Sequence, residues 1–163
     1  MSPRLKSVIS SLYRPALGKG RRVFAVSRAE AEQLPRLPAV AVVSITAPAR
    51  PPASLEGFDF LLRLQFEDVD FLNPDLSNRA KEKMSGAFTA DQAALILGFV
   101  ESLPESIHTI VIHCEGGFSR SSAVALSLHR LYDYQVEIDR LEQANPSVVA
   151  MLTRSASSLK KSK

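Results

Sequence analysis

Residues 113–121, with the sequence HCEGGFSRS, combine a nucleophile with groups that can hold an anion. Cys114 is the only cysteine of the chain, and Arg120 follows it within the same short stretch. A guanidinium presents a planar fork of donors that matches a phosphate group. Gly116 and Gly117 lack a Cβ, so backbone N–H groups beside them can converge on one point. These residue types at this spacing predict a site for a tetrahedral anion, with a thiolate beneath it.

The segments on either side supply the geometry that this chemistry needs. An apolar, β-branched run at 107–112 predicts a buried strand, and residues 122–134 follow a helical pattern. The N–H groups at a helix N-terminus are unpaired, and the helix dipole adds partial positive charge, so both an anion and a thiolate are stabilised there. The alternative is that Cys114 is an ordinary core thiol. That alternative does not account for the glycines or for Arg120.

The stretch resembles the His-Cys-x-x-Gly-x-x-Arg-Ser signature of the cysteine-dependent protein tyrosine and dual-specificity phosphatases. Every fixed position is present in this sequence. The chain is similar to the small dual-specificity branch, including its compact bacterial tyrosine-phosphatase-like members. This resemblance implies hydrolysis of phosphate monoesters through a cysteinyl-phosphate, without a cofactor. The matching residues are His113, Cys114, Gly117, Arg120 and Ser121.

The resemblance also implies a role for each residue of the loop. Cys114 would attack phosphorus, Ser121 would help the thiolate leave, and His113 would order the loop. The substrate phosphate would be bound by Glu115, Gly116, Gly117, Phe118, Ser119 and Arg120, mainly through backbone N–H groups and the guanidinium. With one cysteine and three scattered histidines, the sequence offers no zinc-ligand spacing, and we expect no metal.

The reaction also needs a general acid for the leaving oxygen. Asp68 directly follows an alternating strand pattern at 58–66, a placement that resembles the acid loop of the dual-specificity branch. Asp70 is the alternative acid, and Asp75 and Asp91 are more remote alternatives. The stretch 71–88 makes the gap to Cys114 wider than in the compact enzymes of this branch. We interpret it as a lid or a substrate-selecting loop.

The strand patterns alternate with helical ones, which predicts an α/β fold with a central, mostly parallel sheet flanked by helices, resembling a dual-specificity phosphatase. Ligands of such sheets bind at the carboxyl ends of the strands, where both Cys114 and Asp68 fall. Two capping boxes, Ser27 to Glu30 and Thr89 to Gln92, predict helix starts. We divide the chain into a basic N-terminal extension (1–20), a phosphatase domain (21–155) and a basic C-terminal tail (156–163).

Composition limits the class of protein and its partners. The chain has 163 residues, of which 45% are hydrophobic and 23% charged, as expected for one globular domain. No stretch reaches the roughly 20 apolar residues of a membrane span. A single cysteine excludes an internal disulfide and favours a reducing compartment, which we take to be the cytoplasm.

The charge of the chain and the residues of the loop limit which classes of substrate are compatible with the sequence. The net charge is +3, and no acidic residue precedes Glu30. No basic patch interleaved with aromatic residues supports a nucleic-acid partner. An acidic Glu115 and the absence of lysine from the loop argue against polyphosphorylated inositol head groups. The resemblance to protein tyrosine and dual-specificity phosphatases implies a phosphorylated protein or peptide as the substrate.

Three other functions are compatible with parts of this pattern. A catalytically weak phosphate-binding module, or pseudophosphatase, would keep Arg120 and the glycines but usually loses the cysteine or the acid. A rhodanese-like sulfur transferase also carries a cysteine before a helix, but His113 and the Arg120–Ser121 pair favour phosphate chemistry. An RNA 5′-phosphatase is permitted by the basic ends of the chain.

Overall fold

The computed structural model describes residues 2–14 and 20–161. Its centre is a four-stranded sheet in which every neighbouring pair is parallel. The strands are β1 (Arg22–Ser27), β2 (Val40–Thr46), β3 (Phe60–Gln65) and β4 (Thr109–Cys114), in the spatial order β1-β4-β2-β3. The two central strands, β4 and β2, are buried along their whole length, as their continuous apolar runs predict. The predicted α/β fold with a parallel central sheet is confirmed.

Helices cover both faces of this sheet. The helices are α1 (Pro3–Leu12), α2 (Arg28–Glu32), α3 (Asn78–Glu82), α4 (Ala90–Ser102), α5 (Arg120–Tyr132) and α6 (Pro146–Lys161), with 3₁₀ turns at Met84–Gly86 and Ile138–Leu141. Both predicted capping boxes are formed, so α2 starts after Ser27 and α4 starts after Thr89. The predicted strand at 58–66 is shorter, Phe60–Gln65, and Phe58 belongs to a different hydrophobic core from Phe60 and Leu62 rather than to the same face.

Alternation along the strands creates a separate core on each face of the sheet. In β1, Val23 and Ala25 join the core under α4, α5 and α6, whereas Phe24 and Val26 join the core under α1 and α2. This sandwich fixes the sheet from both sides. The carboxyl edge of the sheet, where β4 ends at Cys114, is therefore held in place by both cores.

The N-terminal segment contributes to the second core. Residues Pro3–Leu12 form α1, and its Leu5, Val8 and Leu12 side chains are buried, none more than 2% exposed. Part of the predicted extension, residues 1 and 15–19, lies outside the described residues, as do residues 162 and 163 of the predicted tail. The helix α6 extends to Lys161. The division of the chain into extension, domain and tail stays a prediction.

No helix in the described part of the chain combines the length and the apolarity that crossing a lipid bilayer requires.

Because α1 packs on the second core, replacing a buried residue of this helix should destabilise the protein more than replacing the exposed residue that follows it. Leu12 is 1% exposed, so Leu12→Ala removes buried methyl groups and leaves a cavity. We expect the free energy of unfolding, measured by urea denaturation, to fall by about 2–5 kcal/mol. Tyr13→Ala is the control because Tyr13 is 65% exposed, and it should change the free energy by no more than about 0.5 kcal/mol. Equal values for the two variants would contradict the docked helix.

Candidate active site

Cys114 is the last residue of β4, and the loop after it leads into α5 at Arg120. Its side chain is buried, with only 2% of the residue exposed. Cys114 lies opposite Ser27 of β1, and the preceding His113 lies opposite Ser44 of β2. The predicted strand, loop and helix are therefore present, and the thiol lies at the carboxyl edge of the sheet.

Gly117 is the residue that lets this loop lie against the end of β1. Its φ of +81° is in the left-handed region. A Cβ at this position would lie 2.6 Å from Ser27 N and 2.6 Å from Val26 C, which are backbone atoms that cannot move aside. At Gly116 the nearest atom to such a Cβ is Phe118 Cδ2 at 3.5 Å, an ordinary contact. Of the two loop glycines, only Gly117 is sterically required.

Two polar groups surround the thiol. The Gly117 N–H donates to Cys114 Sγ over 3.3 Å, and Ser121 Oγ lies 3.1 Å from the same sulfur. Ser121 is fully buried, in the first turn of α5. A hydroxyl that can donate to the sulfur stabilises the negative charge of a thiolate. The role of Ser121 that its place in the signature implies stays a prediction.

Several backbone N–H groups of the loop have no acceptor in the part of the chain that the structure describes. Among the described residues, the N–H groups of Glu115, Gly116, Phe118 and Ser119 form no hydrogen bond. Unpaired N–H groups that follow one another in a turn, next to a helix N-terminus, form a concave site for an anion. The loop therefore offers its donors to an external ligand.

Arg120 is anchored at only part of its guanidinium. Its Nη1 donates to Phe66 O over 2.9 Å, which ties the loop to the segment just after β3. The residue is 7% exposed, yet Nε is buried and has no hydrogen-bond partner among the described residues. A buried, unpaired N–H of a charged group is costly unless a ligand accepts from it.

His113 is buried and connects two strands to the loop. Its Nε2 lies 2.6 Å from Ser44 Oγ, and its Nδ1 lies 3.3 Å from the Cys114 carbonyl oxygen. Burial lowers the pKa of His113 below its ordinary value, although the hydrogen bond to Cys114 acts in the opposite direction. The ring is therefore neutral, and because a carbonyl only accepts, Nδ1 donates to it and Nε2 accepts from Ser44. This arrangement agrees with a loop-ordering role.

The two candidate acids, Asp68 and Asp70, have different surroundings. Asp68 is exposed, and its Oδ1 accepts from Ser119 Oγ at 2.8 Å and from Asn145 Nδ2 at 2.9 Å. Asp70 Oδ1 instead accepts from Ser147 Oγ at 2.6 Å and from the Leu72 N–H at 3.2 Å. Asp68 is thus held against the Cys114 loop, whereas Asp70 fastens its own segment to α6.

The remaining candidates lie elsewhere. Asp91 is an exposed first-turn residue of α4, and Asp75 is an exposed residue of a turn in which its N–H donates to Asn73. No three His, Cys, Asp or Glu side chains within residues 2–14 and 20–161 are arranged so that they could hold a metal ion.

The variable side chains of the loop point to its rim. Glu115 forms ion pairs with Arg28 at 3.2 Å and with Arg50 at 3.5 Å. Phe118 is 49% exposed, with the Arg140 guanidinium 5.9 Å from its ring centre. Because these side chains are occupied at the rim, we expect Glu115 and Phe118 to reach a phosphate through their backbone only.

Asn145 belongs to this arrangement, although the sequence analysis did not single it out. It is 4% exposed and directly precedes α6, where its Oδ1 accepts from the Ser147 N–H at 2.9 Å. Its own backbone N–H donates to Ser119 O over 3.1 Å. The sequence Asn-Pro-Ser is a helix-start signal, which could have revealed the cap but not its contact with Asp68.

No family model matches the sequence, and no curated protein matches it. Three solved chains match it, among them the crystal structure of human DUSP28. The match to that structure has 19% sequence identity and a TM-score of 0.45, and it covers 86% of this chain and 95% of that chain. At this level of similarity, the functional conclusion depends on the site itself.

The left-handed backbone and close packing at Gly117 predict that Gly117→Ala destabilises the protein far more than Gly116→Ala does. Gly117→Ala would force apart the loop and the end of β1, because its Cβ meets backbone atoms at 2.6 Å. We expect a loss of about 2 kcal/mol or more in the free energy of unfolding. Gly116→Ala is the matched control and should cost less than about 1 kcal/mol. Thermal and urea unfolding would measure both, and a larger loss at Gly116 would show that the loop is placed differently.

The lowered pKa of His113 predicts a pH dependence of stability. The folded protein binds the second imidazole proton of His113 less tightly than the unfolded chain does. The free energy of unfolding therefore falls as the pH drops below the ordinary histidine pKa of about 6.5. One such group contributes at most about 1.4 kcal/mol per pH unit. His113→Gln lacks this contribution, so its stability difference from the wild type should narrow between about pH 7 and about pH 5. A difference that stays constant over this range would contradict a buried neutral His113.

Proposed function

We propose that the protein is a phosphate monoester hydrolase of the protein tyrosine or dual-specificity phosphatase type, acting through a cysteinyl-phosphate intermediate. The observation that carries this proposal is the Arg120 guanidinium. It is fixed through Nη1 to Phe66 O, and its buried Nε has no partner within residues 2–14 and 20–161, on the same loop as the Cys114 thiol. A phosphate oxygen is the acceptor that suits a charged, planar donor in this position.

In the first step, the Cys114 thiolate attacks phosphorus as the bond from phosphorus to the leaving oxygen breaks. Negative charge lies on the non-bridging oxygens of the transferred group throughout. The unpaired N–H groups of the loop and the Arg120 guanidinium bind these oxygens, and they are preorganised by the turn at Gly117. Asp68 supplies a proton to the leaving oxygen, so that an alcohol departs rather than an alkoxide.

In the second step, water attacks the cysteinyl-phosphate. Asp68, now ionised, takes a proton from the water as the new bond to phosphorus forms and the bond between sulfur and phosphorus breaks. Ser121, 3.1 Å from the sulfur, donates to the departing thiolate. Inorganic phosphate and the original state of the enzyme result. These steps require neither a metal nor a redox cofactor.

Asp68 is the better candidate for the acid because it contacts Ser119 of the loop, whereas the hydrogen-bonded oxygen of Asp70 is engaged by Ser147 and Leu72. The proposed substrate is a phosphorylated protein or peptide. The proposed location is the cytoplasm, where a lone nucleophilic thiol stays reduced.

The test is turnover of p-nitrophenyl phosphate in the presence of a chelator, for the wild type, Cys114→Ser, Asp68→Asn and Asp70→Asn. We expect no turnover from Cys114→Ser and a kcat about 100-fold lower from Asp68→Asn, because the second step loses the base that activates water whatever the leaving group was. Asp70→Asn is the matched control because an asparagine keeps the Oδ1 acceptor for Ser147, and its kcat should stay within about 3-fold of the wild type.

Two results would contradict the proposal. If Asp70→Asn were the slow variant, the acid would be Asp70. If the wild type had no turnover while inorganic phosphate still protected Cys114 from alkylation, the protein would be a phosphate-binding module rather than a hydrolase.

A further inference from the structure

The start of α6 contacts both the proposed acid and the Cys114 loop through one buried residue. Asn145 Nδ2 donates to Asp68 Oδ1 at 2.9 Å and to Val69 O at 3.0 Å. The Asn145 backbone N–H donates to Ser119 O at 3.1 Å. Asn145 is therefore the residue through which α6, the acid segment and the Cys114 loop are joined.

The orientation of the Asn145 amide is determined by its neighbours. Its Oδ1 accepts from the backbone N–H groups of Ser147 at 2.9 Å and Val148 at 3.4 Å, and these groups only donate. On the other side, the Val69 carbonyl only accepts. A flipped amide would oppose donors with donors and an acceptor with an acceptor. The group that faces Asp68 is therefore an N–H.

This orientation distinguishes the two carboxyl oxygens of Asp68. Oδ1 faces the Asn145 amide N–H, which cannot accept, and also the Ser119 hydroxyl. Oδ2 forms no hydrogen bond with any described residue. A protonated carboxyl group carries its hydrogen on one oxygen and accepts with the other. A proton on Oδ2 leaves Oδ1 free to accept from both Asn145 and Ser119, so Oδ2 is the oxygen whose protonation preserves both hydrogen bonds.

We infer that Asn145 is a positioning residue that holds Asp68 so that Oδ2 carries the transferable proton. This inference rests on the proposed function and adds a part to it. In the first step, the proton leaves Oδ2 for the leaving oxygen as the phosphorus–oxygen bond breaks. In the second step, Oδ2 takes it back from water as the new phosphorus–oxygen bond forms. Oδ1 remains bound by Asn145 and Ser119 throughout.

The test compares leaving groups of different basicity. Phenolate needs a proton when it departs, whereas p-nitrophenolate needs it far less. Asn145→Ser keeps an oxygen that can cap α6 but removes the amide donor to Asp68. We expect kcat/KM, which reports only the first step, to fall about 10-fold or more on phenyl phosphate and less than about 3-fold on p-nitrophenyl phosphate.

Two further variants separate positioning from folding. Ser147→Ala removes hydrogen bonds between α6 and the same segment, at Asp70 and Leu72, but leaves Asp68 untouched. Its ratio of rates on the two substrates should equal that of the wild type. If Asn145→Ser does not fold, Asn145→Asp replaces it, because it keeps the cap and places an oxygen in position to face Asp68 Oδ1.

A double-mutant cycle completes the test. If Asn145 acts through Asp68, then adding Asn145→Ser to Asp68→Asn lowers kcat no further. Equal loss on both substrates, or losses that multiply in the double variant, would overturn the inference while leaving the proposed function intact. A wild type that hydrolyses neither substrate would overturn the proposed function and this inference with it.

Discussion

The close approach of the Gly117 turn to the end of β1 is the constraint on which the site depends. A side chain at this position would meet the backbone of Val26 and Ser27, so the loop can lie there only because the residue is glycine. From this position the Gly117 N–H reaches the Cys114 sulfur, and the Arg28 N–H reaches the carbonyl of Glu115. The contact between the loop and β1 thus sets both the surroundings of the thiol and the direction of the neighbouring N–H groups.

The two charged side chains of the site, Arg120 and Asp68, are each anchored through one polar atom. Arg120 is held through Nη1 and Asp68 through Oδ1, whereas Arg120 Nε and Asp68 Oδ2 have no hydrogen-bond partner among the residues that the structure describes. In each case the anchor is a neutral group, a backbone carbonyl for the arginine and a hydroxyl with an amide for the aspartate. A neutral anchor fixes the Arg120 guanidinium without neutralising its charge, so the full positive charge would be available to the phosphate of the proposed reaction. An ion pair between Arg120 and Asp68 would have offset that charge.

The sequence alone was sufficient to predict those parts of the site whose residues follow one another in the chain. The apolar run of β4, the Cys114 loop and the pattern of α5 follow one another, so period and residue type locate them without any long-range information. The contacts of Ser44 and Asn145 could not be predicted from the sequence, because each joins residues that are far apart in the chain. Ser44 lies in an apolar strand and Asn145 before a helix, so each has an ordinary local explanation, and its partner is determined only by tertiary packing. The apolar spacing in α1 was visible, but not the core that receives it.

The order of strands in the sheet also affects how the chain can fold. β1 pairs with β4, and β2 also pairs with β4, whereas β2 and β3 are the only neighbours in both sequence and space. During synthesis, β1 and β2 therefore have no common neighbour until Thr109–Cys114 has left the ribosome. Until then, two apolar strand edges are open to pairing with other chains. The strand that ends at Cys114 is thus also the strand that joins β1 to the rest of the sheet, so a nascent chain that stops before it can form neither the complete sheet nor the Cys114 loop.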